Sequence, residues 1–141
     1  MSPTDDPARR AWVAMCDLVL DNERRREVSD AVGMSFGRIR ALRRIARSPK
    51  TMGEVAAALG IDAPNATLVV DDLERLGLVE RRPHPTDRRS KLVAATKEGS
   101  AVARRAETIM GRPPAGLATL PAPELEQLAR LLEEAVRGTR G

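Results

Sequence analysis

The chain has 141 residues, enough for one ordinary domain or a small domain with additional helices. Apolar residues at 42 % and charged residues at 31 % support a packed core and exclude wholesale disorder, while one Trp, one Phe and no Tyr exclude a platform of stacked rings for single-stranded nucleic acid. The net charge of +4 is compatible with a nucleic-acid partner without demanding one, and one Cys with one His excludes a zinc site of the usual ligand count or a nucleophile–base triad.

Residues 8–27 read as a helix with Trp12, Met15 and Val19 on an apolar stripe, and 29–34, around Gly33, read as a break. Ser35 is placed to cap a second helix carrying Ile39, Leu42, Ile45 and Ala46, which Ser48-Pro49 ends. Thr51 and Glu54 form a capping box ahead of a short helix with Val55, Ala56 and Leu59 inward and Gly60 at its end. Asp62 can cap the next helix, with Pro64 in its first turn, Ala66, Val69, Val70, Leu73 and Leu76 on its buried face, and Gly77 as its stop. The pair 51–59 and 63–76 is a helix-turn-helix in outline. Two β-capable segments around Pro83–Asp87 predict a hairpin, that is, a wing. Thr96 caps a helix with Val102, Ala106 and Ile109; the Gly111–Gly116 stretch breaks it, and a last helix over 121–137 carries Leu125, Leu128, Leu131, Leu132 and Val136.

The charge is segregated. Residues 37–50 hold Arg38, Arg40, Arg43, Arg44, Arg47 and Lys50 with no acid; residues 61–76 hold Asp62, Asp71, Asp72 and Glu74 against Arg75; residues 80–91 turn basic again. Phosphate contact is local, so this alternation matters more than the total. The cations of 37–50 surround their helix, so one or two face phosphate and the rest meet acids such as Asp71, Asp72 or Glu74. Thr51, at a helix start, offers a hydroxyl and a backbone N–H to phosphate. Arg88 and Arg89 sit beside a tip stiffened by Pro83 and Pro85, where a narrow minor groove would attract them; His84 reads as solvated. The stripes Trp12-Met15-Val19 and Leu125-Leu128-Leu132 are too apolar for a monomer's outer helices and predict a homodimer interface.

Leu76 to Pro83, Pro85-Thr86-Asp87-Arg88-Arg89, Leu92-Val93 and Thr96-Lys97-Glu98-Gly99 together resemble the MarR family of bacterial transcription regulators. The resemblance implies a mainly α fold: a winged helix-turn-helix over 35–96 with a short two-stranded wing, and a helical dimerisation region over 8–34 and 97–137, in one continuous domain. It implies a homodimeric, sequence-specific binder of double-stranded DNA, a repressor released by a small, often aromatic ligand. Helix 63–76 becomes the recognition helix, with Ala63, Pro64, Asn65, Thr67 and Leu68 leading. Arg88 and Arg89 belong to the DNA-binding wing; Arg89 matches the arginine that enters the minor groove, and Asp87 the acid that holds it. Asn65 is the side chain able to read adenine bidentately, and Thr67 could meet a thymine methyl or a phosphate. The chain departs from the family pattern at Leu68 and Asp72, where many members are basic, so Asp71 and Asp72 are expected to point away from phosphate or pair with arginine. Two-fold symmetry implies a pseudo-palindromic operator with half-sites about one helical turn apart. The alternative is a winged-helix dimer whose acidic helix binds another protein.

No catalytic residue, metal ligand set or cofactor is assigned, and an enzyme is not expected. A lone Cys, acids where a leader's cations would stand, and no apolar run of about 18 residues predict a cytoplasmic protein without a membrane partner.

Overall fold

The computed structural model describes residues 6–20 and 24–141. In them the apolar periodicity resolves into α1 (Pro7–Leu20), α2 (Arg24–Val32), α3 (Phe36–Arg47), α4 (Met52–Leu59), α5 (Ala63–Arg75), β1 (Val79–Pro83), β2 (Lys91–Ala95), α6 (Lys97–Met110), a 3-10 turn (Ala115–Thr119) and α7 (Ala122–Arg140). The chain divides into two compact units, Met1–Asn22 with Arg112–Gly141, and Glu23–Gly111. None of the described helices is long and apolar enough to cross a membrane.

The second unit is built on three apolar stripes. Ala41, Leu42 and Ile45 from α3, Val55 from α4, and Ala66, Val70 and Leu73 from α5 close on Leu78, Val79 and Val93 of the hairpin and Ala103 of α6. Ala66, Val70 and Leu73 are fully buried at spacings of four and three, the pattern that keeps one helical face inward. Burying a Val or Leu side chain of this kind contributes about 1.5–3 kcal/mol. Local sequence starts four of the helices where expected. Ser35, Thr51, Asp62 and Thr96 each accept a backbone N–H in the first turn, and the Thr51–Glu54 box is complete.

β1 and β2 pair antiparallel, with Val79 opposite Ala95 and Pro83 opposite Lys91. Lys50 and Val93 exchange both backbone hydrogen bonds, at 3.0 and 2.7 Å, which fastens the entry to α4 onto the hairpin. A second joint lies at the other end of the hairpin. The Thr96 N–H donates to the Leu78 carbonyl at 3.0 Å and its hydroxyl to the Gly77 carbonyl at 2.6 Å. Gly99 is buried against the same turn: a Cβ there would stand 1.8 Å from the Leu78 carbonyl oxygen.

Three expectations change. The helix expected over 8–27 ends at Leu20, and its residues 24–27 begin a separate helix; residues 21–23 lie outside the described residues. The break expected over 29–34 shrinks, because α2 continues to Val32 and stops only where Gly33 adopts φ +76°. The reason is Val28, fully buried against Ile39 and Ala106 with Val32 packed one turn on. One fully buried residue, with a half-buried Val one turn on, anchors this otherwise charged helix. Leu76, expected on the buried face of α5, is 54 % exposed. The helix has already ended at Arg75, and the Leu78 N–H turns back to the Leu73 carbonyl, so Leu78 enters the core instead.

In the first unit, α1 and α7 contain no buried residue. Trp12 and Val19 on α1 are exposed, with Met15 half-buried; on α7, Leu125 and Leu128 are half-buried and Leu131, Leu132 and Val136 exposed.

Candidate nucleic-acid interface

The exposed side of α5 follows from its buried side. With Ala66, Val70 and Leu73 inward, Ala63, Pro64, Asn65, Thr67 and Leu68 all face solvent, and Leu68 is 62 % exposed. Their polar atoms are partly committed. Asp62 takes the Asn65 backbone N–H on Oδ1 at 2.8 Å and the Asn65 side-chain amide on Oδ2 at 3.1 Å. That second bond uses one amide hydrogen and leaves Asn65 with an acceptor oxygen and one further donor. The Thr67 hydroxyl donates to the Ala63 carbonyl at 3.0 Å, leaving its methyl and an acceptor oxygen free and no proton for a phosphate.

The acids of α5 are ion-paired, as expected of their kind. Asp72 accepts from Arg38 Nε at 2.9 Å and also from Arg38 Nη2, and from Arg75 at 2.6 Å. Hydrogen bonding from the Arg38 guanidinium holds its carboxyl below the ordinary carboxylate range. Asp71 and Glu74 both meet Arg81 of β1, each at 2.6 Å, and the hydrogen bond to Asp71 raises the Arg81 guanidinium further. These pairs cancel the acidic surface of α5 and tie the base of the hairpin to that helix. Spacing along the chain identifies Arg75 with Asp72, three residues apart, but not Arg38 with Asp72, which are 34 residues apart.

Thr51 caps α4 as read, but its backbone N–H is already engaged by the Glu54 carboxylate at 3.2 Å, and its hydroxyl accepts the Glu54 N–H at 3.2 Å. The bond from the Thr51 N–H also depresses the Glu54 carboxyl. What Thr51 retains for a phosphate is its hydroxyl proton. Of the cations on α3, Arg38 belongs to Asp72, while Arg43 and Arg47 approach Glu107 of α6 at 3.7 and 4.0 Å.

The wing tip has a built geometry. The Asp87 carboxylate accepts the Arg89 backbone N–H at 3.0 Å and the Ser90 hydroxyl at 3.2 Å. Asp87 therefore shapes the backbone that carries Arg89 rather than gripping its guanidinium. The Arg88 and Arg89 side chains are exposed and form no ion pair or hydrogen bond among the described residues. His84, read as solvated, is half-buried and accepts two backbone N–H groups of the turn. The His-Pro-Thr-Asp spacing carries a signal for this, since a side-chain acceptor two and three residues ahead of free amides is the pattern of an Asx turn.

Comparison with known proteins agrees with this geometry. Residues 32–90 match the MarR family model. The E. coli MarR in its apo form is 26 % identical, with a TM-score of 0.68 over 83 % of this chain and 91 % of that one. The Mycobacterium tuberculosis MarR family protein RV2887 is also 26 % identical, with a TM-score of 0.66 over 93 % of this chain and 95 % of the other. RV1404 of the same organism shares the fold at 21 % identity, with a TM-score of 0.76 over 99 % and 96 % of the two chains. The helix-turn-helix with its hairpin and these structural likenesses give the chain a winged-helix fold, and its residues 32–90 are similar to the MarR family.

Proposed function

We propose that the protein is a homodimeric, sequence-specific regulator of transcription that binds double-stranded DNA and performs no catalysis. α5 would lie in the major groove and the wing in the flanking minor groove. The observation that carries this is the wing: two arginines without partners among the described residues, on a tip fixed by side-chain-to-backbone bonds and tied through Arg81 to α5. A pre-shaped tip loses less freedom on docking, and free guanidiniums are what a narrow minor groove attracts.

The reading face of α5 supports an A·T-leaning choice of base pairs. Asn65 matches the acceptor–donor edge of adenine, and the Leu68 side chain and Thr67 methyl match the thymine methyl. Arg38 and Arg75, guanidiniums that could otherwise meet guanine, are held by Asp72. Thr51, through its remaining hydroxyl proton, would add a phosphate contact.

Dimerisation is supported by α1 and α7, which contain no fully buried residue and leave Trp12 63 %, Val19 59 % and Leu131 54 % exposed. Met15, Leu125, Leu128 and Leu132 extend the same stripes. Family resemblance adds the direction of control: repression, relieved by a small aromatic ligand. The acidic helix that would favour a protein partner is ion-paired to Arg38, Arg75 and Arg81, which weakens that alternative.

Enrichment of random duplexes on the purified full chain, with its mass measured in solution, tests the reading. The expected result is a dimer that selects an inverted repeat with half-sites about 10 bp apart and loses affinity steeply with salt. A strict monomer, or no duplex retained at low salt, would overturn it. Addition of candidate aromatic compounds to the selected complex then tests release.

A further inference from the structure

The wing tip is formed by two successive side-chain clasps, and the first runs through the only histidine of the sequence. His84 Nδ1 accepts the backbone N–H of Asp87 at 3.0 Å and of Thr86 at 3.2 Å, with the Thr86 hydroxyl at 3.4 Å. These are the amides two and three residues ahead, the pair that an Asn or Asp oxygen captures in an Asx turn. The ring nitrogen occupies the place of that oxygen. Asp87 then makes a related clasp, accepting the Arg89 amide on Oδ1 and the Ser90 hydroxyl on Oδ2. The chain from His84 to Arg89 thus passes through two linked clasps, and Arg88 and Arg89 emerge from the second.

An imidazole nitrogen accepts a hydrogen bond only while it carries no proton. The ring in this geometry is neutral with its hydrogen on Nε2, whereas an imidazolium carries N–H on both nitrogens and accepts nothing. We propose that His84 is the positioning residue of the wing tip, and that proton uptake by its ring opens the first clasp and frees the direction of the arginines behind it. The carboxyl of Glu54 of α4 is lowered in part by Lys50 and His84. The Asp87 carboxylate is turned to Arg89 and Ser90.

The tip geometry stands by itself; its consequence for duplex binding rests on the proposed function. A proton also adds a charge that attracts phosphate, so affinity at low pH does not report the clasp alone, and the first reading belongs in the free protein. The experiment compares the full chain with His84→Asn, which keeps an acceptor without a titrating ring, and His84→Ala, which has neither. At pH 8 the histidine ring nitrogens should show the Nε2–H tautomer, and the Thr86 and Asp87 amides should be protected from exchange. Between pH 8 and pH 5 their protection factors should fall about fivefold or more, the equilibrium worth of roughly one net hydrogen bond. His84→Asn should retain protection at both pH values and His84→Ala at neither. On the duplex selected above, His84→Ala should bind about fivefold more weakly at pH 8, with His84→Asn restoring the affinity. An Nδ1–H tautomer at pH 8, or equal amide protection in all three proteins, overturns the proposal, as does equal duplex affinity of His84→Ala and the parent. If the amide pattern holds while none of the three retains a duplex, the clasp stands and the DNA reading falls.

Discussion

α5 and the wing lie on one unit, yet their charges are disposed in opposite ways. On α5 each of Asp71, Asp72, Glu74 and Arg75 has an ionic partner within the molecule. On the wing Arg88 and Arg89 have none among the described residues. A closed set of charges contributes little to long-range attraction, while free cations recruit phosphates and release counterions. Under the proposed function, then, the wing supplies salt-sensitive affinity and the neutral leading edge of α5 supplies discrimination between bases.

The largest expected effect removes the joint on which both regions hang. Gly99 lets α6 start directly against the turn between α5 and β1; a methyl group there would overlap the Leu78 carbonyl, with the oxygen at 1.8 Å and the carbon at 2.8 Å. Both contacts are backbone, so no flexible side chain can yield. Gly99→Ala should cost at least about 3 kcal/mol, the upper range for overpacking, and urea denaturation followed by circular dichroism checks it. An unchanged midpoint would show that the joint yields easily.

The next effect separates the two regions. Arg89→Ala should weaken binding about tenfold on every duplex and reduce the salt slope by about one. Asn65→Ala should leave the slope and non-specific affinity nearly unchanged but cost about 1–3 kcal/mol of discrimination at one base pair of each half-site. Salt titrations on selected and scrambled duplexes read both. Equal slope changes in the two variants would erase the distinction between the regions.

How much of this is legible in the sequence depends on the distance between the interacting groups. The caps at Ser35, Thr51, Asp62 and Thr96 are visible because donor and acceptor lie three residues apart. The wing is visible because two β-capable runs bracket prolines. The exposed set Ala63, Pro64, Asn65, Thr67 and Leu68 is visible as the complement of a periodic buried face. Arg38 with Asp72 is not: that the acids of α5 would seek arginines is readable, but which ones depends on the packing of α3 against α5. Val28 is hidden by the charges beside it. Leu76 and Leu78 exchange roles because the helix ends one residue earlier than the apolar pattern suggests. His84 is obscured by its own versatility, since an exposed ring and a turn-forming ring look alike until the amides of Thr86 and Asp87 are placed.

A smaller effect opens the closed charges of α5. Asp72→Asn keeps the shape but removes the anion that holds Arg38 and Arg75. These cations should then become available to phosphate. Non-specific duplex affinity should rise several-fold, with the salt slope steeper by up to about two, about one for each freed cation. Base discrimination should fall, because a contact to phosphate carries no sequence information. A slope unchanged by this variant would mean that Arg38 and Arg75 are turned away from the duplex whatever their partner.

The same residue gives the smallest effect, in stability against pH. The Asp72 carboxyl is held low chiefly by Arg38, so between its folded and unfolded values the unfolded chain binds more protons and stability rises with pH. Its contribution is complete above the ordinary aspartate range near pH 4 and disappears as pH falls through the lowered folded value. Glu54, depressed by the Thr51 N–H, behaves in the same sense but is untouched by Asp72→Asn. Urea midpoints for the parent and Asp72→Asn should therefore differ by a constant amount from pH 7 to about pH 5, then converge below about pH 4 while both continue to lose stability through Glu54. Parallel curves down to pH 2 would mean that Asp72 stabilises by shape alone, and that the closure of charge on α5 has no energetic content.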